Sequence, residues 1–253
     1  MRLFQILLFL SVSLPIAGQG PPITVGTPVM LGLEGRGVRT FAHVSVFDEG
    51  RFIRIPVGLP YNITPTWQIG AVLPYILRAT TGESIIEGIG DITVFTKFQL
   101  FKRDGRGKTF RAIAILRHTL PSGRAFDGTA FSSGAFATSF GIISGYITTR
   151  YGLYFDASYI ARSQQLPDLW RYNLSIGIPL LPHRYPQRQL NAYLELNALR
   201  SADFQLQSLM LSPGLQLIPA RRFLIEASFG YPLVQAPNAT LRYTTLIGIR
   251  FLL

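Results

Sequence analysis

The chain has 253 residues, of which 48% are hydrophobic and 15% charged, with a net charge of +11 and no cysteine; an average soluble domain carries roughly 25% charged residues. The lack of cysteine excludes a disulfide framework, a thiolate metal site and a lipid-modified N-terminal cysteine. No run of 18 uncharged apolar residues follows the first twenty, so a spanning helix is excluded, and the apolar content calls for a large all-β core or a barrel whose outside faces lipid.

The chain opens with Met1 and Arg2, followed by LFQILLFLSVSLPIAG. A basic start, a short apolar run and small residues near Ala17 and Gly18 are the anatomy of a secretory signal peptide. The run is shorter than the roughly 20 residues a membrane helix needs, and Pro15 interrupts it. The expected organisation is a cleaved leader over residues 1–20, cut between Ala17 and Gly20, and a single domain over residues 21–253.

Beyond the leader the dominant period is two. Trp170, Tyr172, Leu174, Ile176 and Ile178 alternate with Arg171, Asn173, Ser175, Gly177 and Pro179, which places apolar residues on one face and polar or small ones on the other. The same pattern runs through residues 190–197 and 241–252. Twelve such segments are predicted, over 38–47, 51–62, 66–78, 90–101, 109–120, 135–147, 150–162, 169–180, 190–199, 206–217, 222–232 and 241–252. Most are longer than the usual soluble strand of about 5 to 6 residues and match the roughly 9 to 11 needed to cross a bilayer. Short links around Pro65, Thr148 and Pro219 alternate with longer ones such as PSGRAFDGTAFSS. KRDGRGK and the stretch 182–189 are longer than an alternating short-turn rule allows, and the link 48–50 is shorter. Trp67, Tyr75, Tyr151, Tyr159, Trp170, Tyr231 and Tyr243 fall near strand ends on the apolar face, as interfacial girdles require.

EGIGDITVF, residues 87–95, superficially suggests a phosphate loop. Thr93 stands where a third glycine is needed and a strand follows, so that reading fails. Gly88 and Gly90 instead let the backbone turn, and Asp91 opens an inner series continued by Thr93, Phe95, Lys97 and Gln99. His43, His118 and His183 have no metal-ligand spacing, and no G-x-S-x-G elbow is present. His43 with Ser45 is at most a fragment of a hydrolase triad on one strand face. The basic residues are spread singly, without the aromatic-interleaved stripe of a nucleic-acid surface. They suit anionic lipid head groups or the wall of an anion-attracting pore.

By phase, the inner face carries Arg54, Asp91, Lys97, Arg117, Asp156, Arg171, Glu195, Glu226, Arg242 and Arg250. Buried charges must pair or be hydrated, so these imply a salt-bridged interior or a wetted passage. Phe95, Tyr154, Tyr193 and Leu224 on the same face would narrow it. Asp91 is expected in the lumen near one mouth, opposite an inner arginine. The glycine-rich loop carrying Arg124, Phe126, Asp127 and Phe131 is the candidate gate.

GIGDITVFTKFQL, RHTLPSG, GAFATSFGIISGY, LELNAL and LSPGLQLIPARRFLIEASFGYPL, in this order, resemble the bacterial family named "MetA-pathway of phenol degradation", over about residues 35–253. The resemblance implies an antiparallel transmembrane β-barrel in the bacterial outer membrane that passes small organic, including aromatic, molecules. It would be inserted by the barrel-insertion machinery among outer-membrane lipids and lipopolysaccharide. No catalysis, metal, cofactor or nucleic-acid partner is expected. A barrel with a structural or adhesive role is the second reading, and a membrane-embedded lipid hydrolase a distant third. The chain ends in Leu253 rather than the terminal aromatic residue usual for such barrels, with Phe251 two places earlier.

Overall fold

The computed structural model describes residues 20–80, 85–123, 125–126, 129–130, 132–181, 188–203, 205–236 and 239–253. Fifteen strands form: β1 (Gly37–Phe47), β2 (Gly50–Thr64), β3 (Trp67–Thr80), β4 (Ile86–Ile89), β5 (Thr93–Gly105), β6 (Lys108–Thr119), β7 (Ala125–Phe126), β8 (Thr129–Ala130), β9 (Ala137–Thr148), β10 (Gly152–Arg162), β11 (Leu169–Pro179), β12 (Gln189–Ser201), β13 (Leu206–Ala220), β14 (Phe223–Gln235) and β15 (Leu241–Leu252). Twelve of them make an antiparallel meander in which β15 returns to pair with β1, Gly37 opposite Leu252, closing the wall into a barrel. All twelve predicted segments are strands. Closure gives each of the twelve wall strands a partner on both sides, which is the condition for backbone polar groups to survive in hydrocarbon.

Both ends of the barrel strands meet at one rim, where Leu253 N–H donates to the Arg36 carbonyl at 2.9 Å; this is called the terminal rim below, and the opposite one the far rim. KRDGRGK, predicted as a long link, is a two-residue turn at Arg106 and Gly107, because β5 and β6 continue their pairing out to Gly105 opposite Lys108. The fourth wall strand is broken. β3 pairs first with β4, Tyr75 opposite Ile89, and then with β5, Val72 opposite Thr93. The interruption falls at Gly90, Asp91 and Ile92, with Gly90 N–H held by the Pro74 carbonyl at 2.8 Å.

Burial is inverted relative to a soluble protein. Ile247 is 66% exposed, and Leu174, Ile178, Phe140 and Leu215 are exposed with it, while Glu195 and Gln216 are 0% exposed and Glu226 1%. An exposed apolar band around a polar interior is stable only with lipid outside. Aromatic residues ring both ends of the band. Trp67 stacks on Phe98 at 5.3 Å near the terminal rim. Tyr159 and Trp170 meet at 4.9 Å, and Phe229 and Tyr243 at 5.4 Å, near the far rim. Such belts sit at the head-group level.

Candidate functional site

The lumen is not left to side chains alone. Residues 20–36, ahead of β1 and without regular structure, fold into the terminal half of the barrel, where Ile23 and Val25 are buried against Ile147, Tyr154, Tyr193 and Leu246. Ile23 N–H and Thr24 N–H donate to the two oxygens of Glu195 at 2.9 and 2.7 Å. Thr24 Oγ1 donates to the same carboxylate at 2.5 Å and lies 3.0 Å from Asn197 Oδ1. Ser175 Oγ on β11 donates to Glu195 at 3.0 Å from the other side. One buried carboxylate thus satisfies two backbone donors of a segment whose contact with strand backbone comes at its C-terminal end, where Arg36 bridges Tyr61.

The carbonyls of this plug are also met. Gln216 Nε2 donates to Pro21 O at 2.7 Å, Arg250 Nη2 to Pro22 O at 2.6 Å, Arg39 Nη2 to Ile23 O, and Tyr193 Oη to Gly20 O at 2.5 Å. Pro21 and Pro22 suit the position, because they bring carbonyls without adding N–H groups to be satisfied. Gly26 lets the plug lie close against the wall: a Cβ there would stand 2.5 Å from Ile143 Cδ1 and 2.7 Å from Asp156 Oδ2, and those side-chain ends would have to shift.

The arginines that hold the plug are themselves fixed. Glu226, with a side chain 0% exposed, binds Arg39 Nη2 at 2.8 Å through one oxygen and Arg250 Nη2 at 2.8 Å through the other. Their Nε atoms add bonds of 3.0 Å each. Removing a charge from water is expensive, and two planar forks on one carboxylate are the geometry that offsets it. Glu226, Arg39 and Arg250 therefore act as a pre-formed clamp whose spare N–H groups reach the plug backbone.

Around and beyond the plug lies a cavity of about 1090 Å³. Its lining includes Thr93, Arg117, Arg171 and Ser208 in the far half, Thr24 and Val25 of the plug, and Gly37, Ile218 and Leu252 near the terminal rim. Arg54, Lys97 and Phe95 also line it, as does Asp156. Lys97 Nζ stands 5.7 Å from the Phe95 ring centroid. Arg117 Nη2 lies 3.7 Å from Asp156 Oδ2, and its Nη1 donates to Ser158 Oγ at 3.4 Å. His43 lines the cavity too, directly opposite Arg54 on the neighbouring strand, and Ser45 is buried two residues on.

The remaining sequence candidates separate by location. Tyr154, Tyr193, Glu195, Glu226 and Arg250 gather around the plug, and Leu224 lines the cavity. Two candidates stand elsewhere. Arg242, although on the inner phase, is beyond the lumen at the far rim, where its Nε binds Asp48 Oδ1 of the β1–β2 turn at 2.5 Å in an exposed pair. Asp91 is within electrostatic reach of Arg54, but its hydrogen bonds go to loop backbone: it accepts from Gly123 N–H and Ser133 N–H at 3.0 Å each. Beside it, Ile92 N–H donates to Ser122 Oγ at 2.9 Å and Leu120 N–H to Ile92 O at 2.8 Å. The strand break leaves Asp91 free to bind these amides, so its carboxylate fastens GIGD to LPSG and to the far end of the long loop. In that loop Phe126 belongs to β7, paired with Thr129 of β8; Arg124, Asp127 and Phe131 lie outside the described residues, as does the leader up to residue 19.

The plug and Arg39 escaped the sequence reading. Residues 21–36 alternate in no strand-like way, yet PPITVGTPVMLG is too apolar for a solvated linker, and that mismatch was the available signal. Arg39 shares the inner phase of His43 and was legible by counting in twos.

A closed twelve-stranded antiparallel wall with one extra strand, an exposed apolar band, two aromatic belts and a polar, plugged interior defines a transmembrane β-barrel of the outer-membrane type. Comparison with solved structures supports that class. The chain is similar to the COG4313 outer membrane channel from Pseudomonas putida F1, with 10% identity over 92% of this chain and 100% of the other and a TM-score of 0.67. It is also similar to the NanC porin, with 10% identity, 85% and 98% coverage and a TM-score of 0.54, and to the KdgM porin solved in complex with disordered oligogalacturonate, with 6% identity, 85% and 98% coverage and a TM-score of 0.53. At such identities the likeness shows the fold. No protein-family profile and no curated protein sequence matches the chain.

Proposed function

We propose that the protein is an outer-membrane channel for passive passage of small organic molecules with apolar or aromatic bodies, and that the 20–36 segment regulates the passage. The observation that carries this reading is the cavity: it is lined from both halves of the barrel and by the plug itself, whereas a purely structural barrel of this size has no need of an open interior. Its lining mixes Phe95, Ile115, Ile143 and Met210 with a few charged groups, the composition of a site for small organic ligands. The similarity to outer-membrane channels and porins supports export through the leader and residence in the outer membrane. With the terminal rim in the periplasm, the Asp91 fastening sits on the outer surface.

A second reading, a barrel closed at rest that never conducts, draws support from the density of hydrogen bonds on residues 20–24. Uptake into liposomes separates the two. The channel reading expects purified protein to admit small aromatic solutes faster than protein-free liposomes; inserted protein that admits neither these nor ions in planar bilayers supports the closed barrel.

A further inference from the structure

The charges on the cavity wall do not balance. Arg54, Lys97, Arg117 and Arg171 all line it, and among the described residues Asp156 is the one carboxylate that does, with Asp91 acting on Arg54 from outside the lining. Asp156 is already engaged, by Arg117 at 3.7 Å and by Ser158 Oγ at 3.1 Å. Arg39 and Arg250, on the same cavity, have Glu226. Among the described residues Arg171 has no such partner: its Nε and Nη2 are buried and make no hydrogen bond.

A guanidinium is always charged and is all donor, so two buried N–H groups without an acceptor are an unfavourable arrangement unless something else supplies the acceptor. Nε and Nη2 are the adjacent pair that meets a carboxylate through two parallel bonds. The wall strands bring further positive charge to the same place. Arg117 on β6 reaches over β9 to Ser158 on β10, which is opposite Arg171 on β11. That reach is open because Gly141, the β9 residue opposite Ser158, has no side chain, and a Cβ there would collide with Ala157 O and Ser158 Oγ. Val25, Phe95, Ile115, Ile143 and Met210 supply an apolar surface around these cations.

The geometry points to a binding site for an amphipathic carboxylate in the far half of the lumen: the Arg171 guanidinium, whose Nε and Nη2 are shielded from solvent, turns into the cavity it lines and takes the carboxylate in a fork, Arg117 and Lys97 add charge, and the apolar wall takes the hydrocarbon or aromatic body. The assignment rests on the reading of the lumen as a passage for small organic molecules and narrows the solute class to organic acids. A neutral alcohol of the same length would fill the apolar wall and leave Arg171 unsatisfied; an organic cation would be repelled.

Titration calorimetry on the full-length mature protein in a non-ionic detergent, with octanoate, octanol and octylammonium as probes, tests the site without any transport step. The wild type is expected to bind octanoate at least tenfold more tightly than octanol, with octylammonium weakest. Arg171→Gln should weaken octanoate about tenfold and leave octanol unchanged, and Arg171→Lys, which keeps the charge and loses the fork, should fall between. Unaltered heat-modifiable gel migration confirms that each variant is folded. Equal affinity for octanol and octanoate, or an octanoate affinity indifferent to Arg171→Gln in folded protein, overturns the site. Liposome uptake is read separately. Selective octanoate binding without uptake defeats the passage reading and leaves the carboxylate site standing, and uptake of both probes without selective binding does the reverse.

Discussion

Replacing Glu195 by alanine removes the acceptor for Ile23 N–H, Thr24 N–H and Thr24 Oγ1, and for Ser175 Oγ on the wall. Ile23 is 0% exposed, so its amide cannot turn to water while the plug stays in place. Leaving a buried donor unmet costs about 1 to 3 kcal/mol, so loss of the acceptor for the Ile23 amide weakens docking by about that much, while the part-buried Thr24 amide can turn to water in the cavity. At about 1.4 kcal/mol per factor of ten, the undocked population rises at least roughly fivefold for as long as it remains a minority. The Arg39, Arg250 and Gln216 bonds to the plug carbonyls remain, as does burial of Ile23 and Val25, so the plug is loosened rather than expelled. Single-channel recording in planar bilayers reads this as more frequent or longer openings. Glu195→Gln keeps the volume and one acceptor oxygen but sets an amide donor against the plug N–H groups, and should lie between the wild type and alanine. Folded Glu195→Ala protein with recordings superimposable on the wild type would refute the reasoning, because the plug would then not govern the lumen.

Other expectations follow from the same structure. The Gly20 carbonyl accepts from Tyr193 Oη, so intact-mass measurement should find a mature chain beginning no later than Gly20, and a start at Pro21 or beyond would remove this contact. Asp91→Ala should free Gly123 and Ser133 N–H groups and raise their amide exchange on the order of tenfold per lost bond, with faster proteolysis of the 120–135 loop; unchanged exchange would show that the fastening is incidental. Near the far rim the Tyr159 hydroxyl and Arg162 N–H hold the Asp168 carboxyl below the usual carboxylate range. Its contribution is therefore complete above the ordinary value and is lost only as pH falls through the lowered one. Exchange of Arg162 N–H should accelerate in that acid window, and Asp168→Asn should produce the faster exchange already at neutral pH.

Much of the wall was legible because a strand buried on one side and bathed in lipid on the other writes a strict period of two. Glu195 between Leu194 and Leu196, or Asp156 between Phe155 and Ala157, could be assigned a face from the sequence alone. What escaped has in each case a local physical cause. Leu100 and Phe101 are both exposed because the register shifts between Gln99 and Phe101, and a bulge cannot be read from alternation. Asp91 is free to bind the Gly123 and Ser133 amides because the strand breaks at Gly90, a contact that alternation does not reveal. The plug has no period at all; its conformation comes from Glu195, Arg39, Arg250 and Gln216, contributed by strands 160 or more positions away in some cases and 16 in another. Of the candidate site, the charged residues were thus visible but their object was not: Glu195 and Arg250 bind a peptide segment of the chain itself, and Glu226 holds Arg250 in place for it.

The absence of cysteine permits a direct test of the central claim, that residues 20–36 control passage. Thr24 and Asn197 meet at 3.0 Å through their side chains, and replacing both by cysteine allows the plug to be tied to β12. Solute uptake into liposomes is then measured with the pair oxidised and again after reduction. The account predicts uptake at the protein-free level when the disulfide is closed and its return on reduction. Uptake that is the same in both states would contradict it.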